Sequence, residues 1–258
     1  MTIRQAVDGA VAHVTLDAPQ RLNALDVQMW RDLRAAMTAL GARDDIHCIV
    51  LRGAGGNFAA GADISEFPRE RFDVASGRRY HLELIAPALQ AIREAPPPVV
   101  AAIEGVCVGG GLEIASVCDL RLAAAGSRLG APVGRLGFPL ALPELAPMLR
   151  LVGVGVAAEL LLEGRLFDAA EALAKGLVQR VVAEADFDAA LAATVKAIMA
   201  GSPMAARLNK RNLRMLAEQG GQYSAAQLDA SFAFFASADY TEGMRAFLER
   251  RPPRFDGT

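Results

Sequence analysis

Cysteine is scarce in this chain: Cys48, Cys107 and Cys118 are the only three in 258 residues, and no two form a CxxC pair. An odd number of thiols in apolar surroundings excludes a disulfide framework and implies buried, reduced side chains in a cytoplasmic protein. Histidine is just as sparse. His13, His47 and His81 lack metal-ligand spacing, so no metal is expected, and each is read as a surface or satisfied core residue. Neither sign of charge is in excess, because 27 Lys and Arg meet 29 Asp and Glu. Without a basic block, nucleic acid and anionic membrane surfaces are poor candidates as partners. The opening Met1-Thr2-Ile3-Arg4-Gln5 has no apolar signal core and charges interrupt the apolar runs, so neither a signal peptide nor a membrane span is expected. No glycine loop continues into GKS or GKT, and there is no GxSxG elbow, which excludes a P-loop and a serine-hydrolase nucleophile of that kind.

Glycine, by contrast, is concentrated in two places, each following a predicted strand. Val106-Cys107-Val108 leads into Gly109-Gly110-Gly111, then Leu112-Glu113 and the apolar Ile114 and Ala115. A helix starting at these glycines would direct free N–H groups and the positive end of its dipole at one point, with no Cβ in the way. Such a point holds an oxyanion, and Glu113, one turn in, is placed to move a proton beside it. The second loop, 53–63, follows the β-branched run 46–51 and offers another backbone donor. Acyl-transfer and enolate chemistry needs such a pair, since negative charge develops on one carbonyl oxygen.

Other segments set the framework. Alternation over 11–16 after Asp8-Gly9 reads as a hairpin with the strand holding Ile3. Asp26 is expected to cap a helix that buries Met29, Leu33, Met37 and Leu40 and stops at Gly41. A long helical pattern over 74–94 ends at Pro96-Pro97-Pro98, the strand 99–103 follows, and short strands are expected at 120–123 and 178–182. Strand and helix in alternation predict a mainly parallel sheet with right-handed crossovers. From about Val154 the chain reads as mostly helical. Gly153-Val154-Gly155-Val156-Ala157-Ala158 fits GxGxxA but lacks a preceding strand, so it is read as a turn between helices. The tail from Ser202 is amphipathic, and its cluster Phe232, Phe234, Phe235, Tyr240, Phe247 and Phe255 must pack on its own domain or on a neighbouring subunit.

Four motifs in order carry a resemblance: Arg21-Leu22-Asn23-Ala24-Leu25, Phe58-Ala59-Ala60-Gly61-Ala62-Asp63-Ile64, Gly109-Gly110-Gly111-Leu112-Glu113, and the ending 242–252. Together they resemble the crotonase family, the enoyl-CoA hydratases and isomerases, over nearly the whole chain. The resemblance implies an α/β fold, a crotonase-like spiral of ββα turns spanning 1–200, with a helical C-terminal region, 201–258, that makes trimers or dimers of trimers. It implies an acyl-CoA thioester substrate, coenzyme A being part of the substrate and no separate cofactor being needed. By position, the N–H groups of Ala62 and Gly110 would bind the thioester oxygen and Glu113 would act as general acid/base. Coenzyme A would lie against Ala60, Ala62, Asp63, Ile64, Ser65 and Gly110, the backbone around Leu22 and Ala24, and Phe247 and Arg250 of a neighbouring tail. The acyl pocket would draw on 67–80 and 136–142.

The chain departs from the family pattern at one position. Hydratases of the family carry a second glutamate after a proline, and alignment on Pro132 and Leu136-Gly137 puts Val133 there. A valine neither orients water nor carries a proton, which weakens the hydratase reading. Glu113 alone suffices for shuttling a proton between α- and γ-carbons, and is compatible with decarboxylation, thioester hydrolysis or catalytically silent acyl-CoA binding. Glu144 is the carboxylate that could replace the missing one; a solvent-facing place in the first turn after Pro143 is the plain alternative.

Overall fold

In the computed structural model, which describes residues 1–258, the sheet begins as the alternation predicts. Strands β1 (Thr2–Asp8) and β2 (Val11–Asp17) pair antiparallel across a tight turn at Gly9. Helix α1 (Val27–Gly41) is capped by Asp26, whose carboxylate accepts the Met29 N–H at 2.7 Å, and it buries Met29, Trp30, Leu33, Met37 and Leu40.

Three ββα turns follow. β3 (Cys48–Gly53) runs to Ala59, which bridges to Cys107, and then to α2 (Phe67–Glu70), α3 (Val74–Arg79) and α4 (Ala86–Glu94). β4 (Val99–Ile103) runs to β5 (Val106–Val108) and α5 (Gly110–Val117); β6 (Leu120–Ala124) runs to β7 (Arg128–Gly130) and α6 (Leu142–Ala158). Each turn lays its first strand in a large sheet and its second in a small one, and so winds a spiral. With β8 (Phe167–Asp168) and β9 (Arg180–Val182), the orders are β1-β2-β3-β4-β6-β9 and β5-β7-β8. The large sheet is parallel from β2 onward.

Successive residues of a strand face opposite sides. Ile49, Leu51, Val99, Ala101 and Ile103 therefore enter the main core with α1, α4 and α5. Cys48, Val50, Val100, Ala102 and Leu122 form a second cluster covered by Phe187 and Leu191 of a helix at Phe187–Met199, numbered α8 after α7 (Ala169–Ala174). All three cysteines are free and buried.

Two details differ from the sequence reading, the width of the 74–94 helix and the apolar length of a later one. The 74–94 helix is continuous, but it widens to a π-turn over Tyr80–Ile85, where the Ala86 N–H reaches back to the His81 carbonyl. Pro87 accounts for this, because it has no N–H to donate and its ring crowds the preceding turn. As the turn reading of GxGxxA implies, helix lies on both sides of Gly153; it starts at Leu142, with Pro143 in the first turn, where no N–H is required. Gly153 then takes φ 73° and ψ 171°, so GxGxxA is a break between helical segments and not a dinucleotide loop. The stretch Leu142–Glu163 is also long and apolar enough to cross a membrane, unlike the expectation. It is broken at Gly153, and Glu144, Met148 and Ala157 are its buried residues before Glu159.

The tail folds as α9 (Pro203–Glu218), α10 (Ala225–Ser231) and α11 (Ala238–Glu249). Asp119, at the start of β6, fastens α9 to the sheet: its carboxylate takes Lys210 Nζ and Arg214 Nη2 at 2.7 Å each and the Val99 N–H at 2.7 Å. Lys210 is buried and also donates to the Pro97 carbonyl. Phe234, Phe235 and Tyr240 pack on one another, whereas Phe247 and Leu248 remain exposed. Replacing Asp119 with alanine strands a buried ammonium, so Asp119→Ala is expected to cost about 3–5 kcal/mol in urea unfolding. A loss near zero would show that α9 is held by packing alone.

Candidate active site

Two glycines let the first and second turns of the spiral cross closely. Gly109 has φ 53° and ψ −121°, and Gly61 has φ 102°. A Cβ on Gly61 would stand 3.0 Å from the Val108 carbonyl oxygen and 3.2 Å from the Gly110 nitrogen. The crossing therefore tolerates no side chain there. It brings the N–H groups of Ala62 and Gly110 to one place, and neither makes a hydrogen bond within the protein. The Gly110 N–H belongs to the first turn of α5, as the glycine triplet predicts. Trp30 of α1 closes this corner, since a Cβ at position 110 would lie 2.9 Å from its ring. At its other end α5 is closed by Arg121, which donates to the Ala115 and Cys118 carbonyls.

The two N–H groups face a cavity of about 290 Å³. Ala60, Ala62 and Ile64 border it from one loop, and Gly110 and Glu113 from α5. Phe67, Arg71, Tyr80 and His81 come from the helical segment after the first loop; Val133, Phe138, Leu140 and Glu144 come from the third turn. The two stretches expected to line the acyl pocket thus meet. Val133 sits buried in the short 3-10 turn Pro132–Leu136 and puts only methyl groups on the wall.

Around this cavity three polar atoms are buried without partners: Glu113 Oε2, Tyr80 Oη and Trp30 Nε1. Burial first, and the negative Glu144 second, push the Glu113 carboxyl well above the ordinary carboxylate range; Arg71 opposes this. Glu144 is not solvent-facing. It is 2% exposed, its Oε1 lies 2.5 Å from His81 Nδ1, and its Oε2 accepts the Ala141 N–H. His81 is therefore neither a surface nor a core residue, correcting the sequence reading. Nothing in the sequence around it signalled this, because its partner lies 63 residues away.

The remaining expected residues border the cavity or lie apart from it. The 22–25 and 60–63 segments are laced by Ala60 N–H to the Leu22 carbonyl and Leu25 N–H to the Gly61 carbonyl. Leu22 takes a left-handed conformation and is exposed, and Ala24 is half-buried beside it. Burial alone would raise the Asp63 carboxyl, but the Ser65 hydroxyl and N–H and the Arg21 guanidinium hold it below the usual range. Phe247 and Arg250, at the end of α11, do not line this chain's cavity; Phe247 is 81% exposed. A larger cavity of about 680 Å³ lies under the tail, bordered by Lys210, Arg211 and Arg214, and contains neither glycine loop.

The raised Glu113 carboxyl has a consequence for stability. Above the unfolded value of about 4.3, the unfolded state releases a proton that the folded state retains, so folding stability falls as pH rises. Glu113→Gln removes that cost, and the variant is expected to melt above the wild type at about pH 8, by about 2–4 °C per kcal/mol released. The gain should shrink toward about pH 4.5, and a gain independent of pH would contradict the assignment.

Known proteins resemble this chain along its whole length. The enoyl-CoA hydratase/isomerase family matches residues 6–258. A probable enoyl-CoA hydratase of Mycobacterium bovis is 35% identical over 260 residues, covering 98% of this chain and 97% of that protein. A peroxisomal Δ(3,5)-Δ(2,4)-dienoyl-CoA isomerase of Arabidopsis thaliana is 29% identical over 267 residues, covering 98% and 95%. The crystal structure of an enoyl-CoA hydratase/carnitine racemase from Magnetospirillum magneticum superposes with a TM-score of 0.96 at 44% identity, covering 99% of this chain and 96% of that one.

Proposed function

The chain belongs to the enoyl-CoA hydratase/isomerase family and has its crotonase fold, and from that premise we propose that it moves the double bond of an enoyl-CoA thioester. The unbonded N–H groups of Ala62 and Gly110 receive the thioester oxygen and stabilise the enolate as it forms. Glu113, which burial makes a stronger base than an ordinary carboxylate, takes in its ionised form a proton from the acyl chain as the enolate forms and returns it to the other of the α- and γ-carbons. His81, oriented by Glu144, is a second proton carrier on another wall. Val133 takes the place of the carboxylate that would activate water, which favours isomerisation over hydration. The observation that carries this reading is the pair of unbonded N–H groups beside a buried, unpartnered carboxyl.

Coenzyme A is assigned to the rim built from Leu22, Ala24, Ala60, Asp63, Ile64 and Ser65. Phe247 and Arg250 of a second copy complete it, in a trimer or a dimer of trimers. The exposed Phe247 and Leu248 of α11, and Val154 and Leu162 near the Gly153 break, give that assembly its apolar surface.

A panel of enoyl-, 3-hydroxyacyl- and malonyl-type CoA thioesters, read by chromatography and mass spectrometry, tests the reaction. A product of unchanged mass with shifted retention supports isomerisation; gain of water, loss of carbon dioxide or loss of CoA replaces it with hydration, decarboxylation or hydrolysis. Binding without turnover of any member makes the chain an acyl-CoA binding protein. Glu113→Gln is expected to lower turnover by about 10²–10⁴ and to stop α-proton exchange of a saturated acyl-CoA in D2O. Glu144→Gln should act less severely, and full turnover in both variants would remove the acid–base assignment. Light scattering of Phe247→Glu should show a smaller particle than the wild type; an unchanged mass takes Phe247 out of the interface.

A further inference from the structure

We propose that the acyl group accepted by this cavity carries a second negative charge, a carboxylate remote from the thioester, and that Arg71 receives it. The proposal rests on the thioester reading above and adds the class of acyl group. Its basis is a cation with no counter-ion. The Arg71 guanidinium lies 4.2 Å from the ring centroids of both Phe67 and Phe138 and 5.6 Å from that of Tyr80. It lies on the cavity wall in the corner where Phe67 and Phe138 meet edge to face, their centroids 5.8 Å apart. Its side chain makes no ion pair, although nearly every other buried or half-buried cation in the chain has one: Lys210 and Arg214 with Asp119, Lys175 with Glu159, Arg52 with Glu104.

The nearby carboxyls do not supply the missing partner. Glu144 is engaged by His81 at 2.5 Å. Glu113 is driven toward its neutral form by burial and by Glu144. The cavity therefore retains a positive charge on a planar, two-pronged donor, which suits bidentate capture of a carboxylate. The two ring faces offset part of the cost of holding a guanidinium there. Tyr80 Oη, buried without a partner on the same wall, is a further donor for an oxygen-rich group. An all-methylene acyl chain would offer a partner to neither group. The cavity, about 290 Å³, lies at the small end of ligand pockets, so the diacid is a short one.

The test compares two matched series by calorimetry on the intact protein: succinyl-, glutaryl- and adipoyl-CoA against butyryl-, pentanoyl- and hexanoyl-CoA. The best diacid thioester should bind about 10- to 100-fold more tightly than its neutral partner of equal length, the range for a bidentate charged hydrogen bond. In Arg71→Met that ratio should fall to about one, and in Arg71→Lys it should be intermediate, since an ammonium offers no fork. Equal affinities in the wild type, or a ratio that Arg71→Met leaves unchanged, would overturn the proposal while leaving the thioester reading intact. Failure of both series to bind would overturn the thioester reading and this proposal with it.

Discussion

The site depends on one steric constraint, the close crossing of two backbone loops at Gly61 and Gly109. The loops approach until a single Cβ on Gly61 would reach the Val108 carbonyl and the Gly110 nitrogen. Because the chain turns there with positive φ, the N–H groups of Ala62 and Gly110 point away from the strands that would have bonded them. Both N–H groups would bond to water if the site were open. Bordered by Trp30, Phe67, Tyr80 and Leu140, they are left free on the cavity wall.

Around that crossing the ββα spiral works as a positioning device. Each turn ends with a helix directed at the same cavity, so Arg71 and His81 come from the first turn, Glu113 from the second, and Glu144 from the third. Their charges are arranged by environment rather than by number. Burial without a partner raises the Glu113 carboxyl above its ordinary range, contact with His81 keeps Glu144 engaged, and two phenyl faces hold Arg71 without a carboxylate. The π-turn forced by Pro87 lies at Tyr80 and His81, the residues that the cavity uses from that helix. Outside the site, the buried Asp119–Lys210–Arg214 cluster fixes α9 to the sheet, while α11 and the Gly153 break leave apolar side chains facing outward.

What the sequence by itself determined was local. Period-2 alternation set the hairpin and the two faces of the sheet, and Asp26 set the start of α1. The glycine triplet set the start of α5, which in turn places Glu113 one turn inside it. These features are legible because each is a rule about residues within a few positions of one another. The proline-aligned Val133 was legible for the same reason, and it does lie on the cavity wall. Only the tertiary structure decided the partners. His81 and Glu144 are 63 residues apart, and Arg71 meets Phe138 across a comparable span. Such contacts follow from how the spiral stacks its turns, so composition and spacing could not show them. The sequence specified a glycine loop with one carboxylate; the fold set beside it a histidine, a second carboxylate and an unpaired guanidinium.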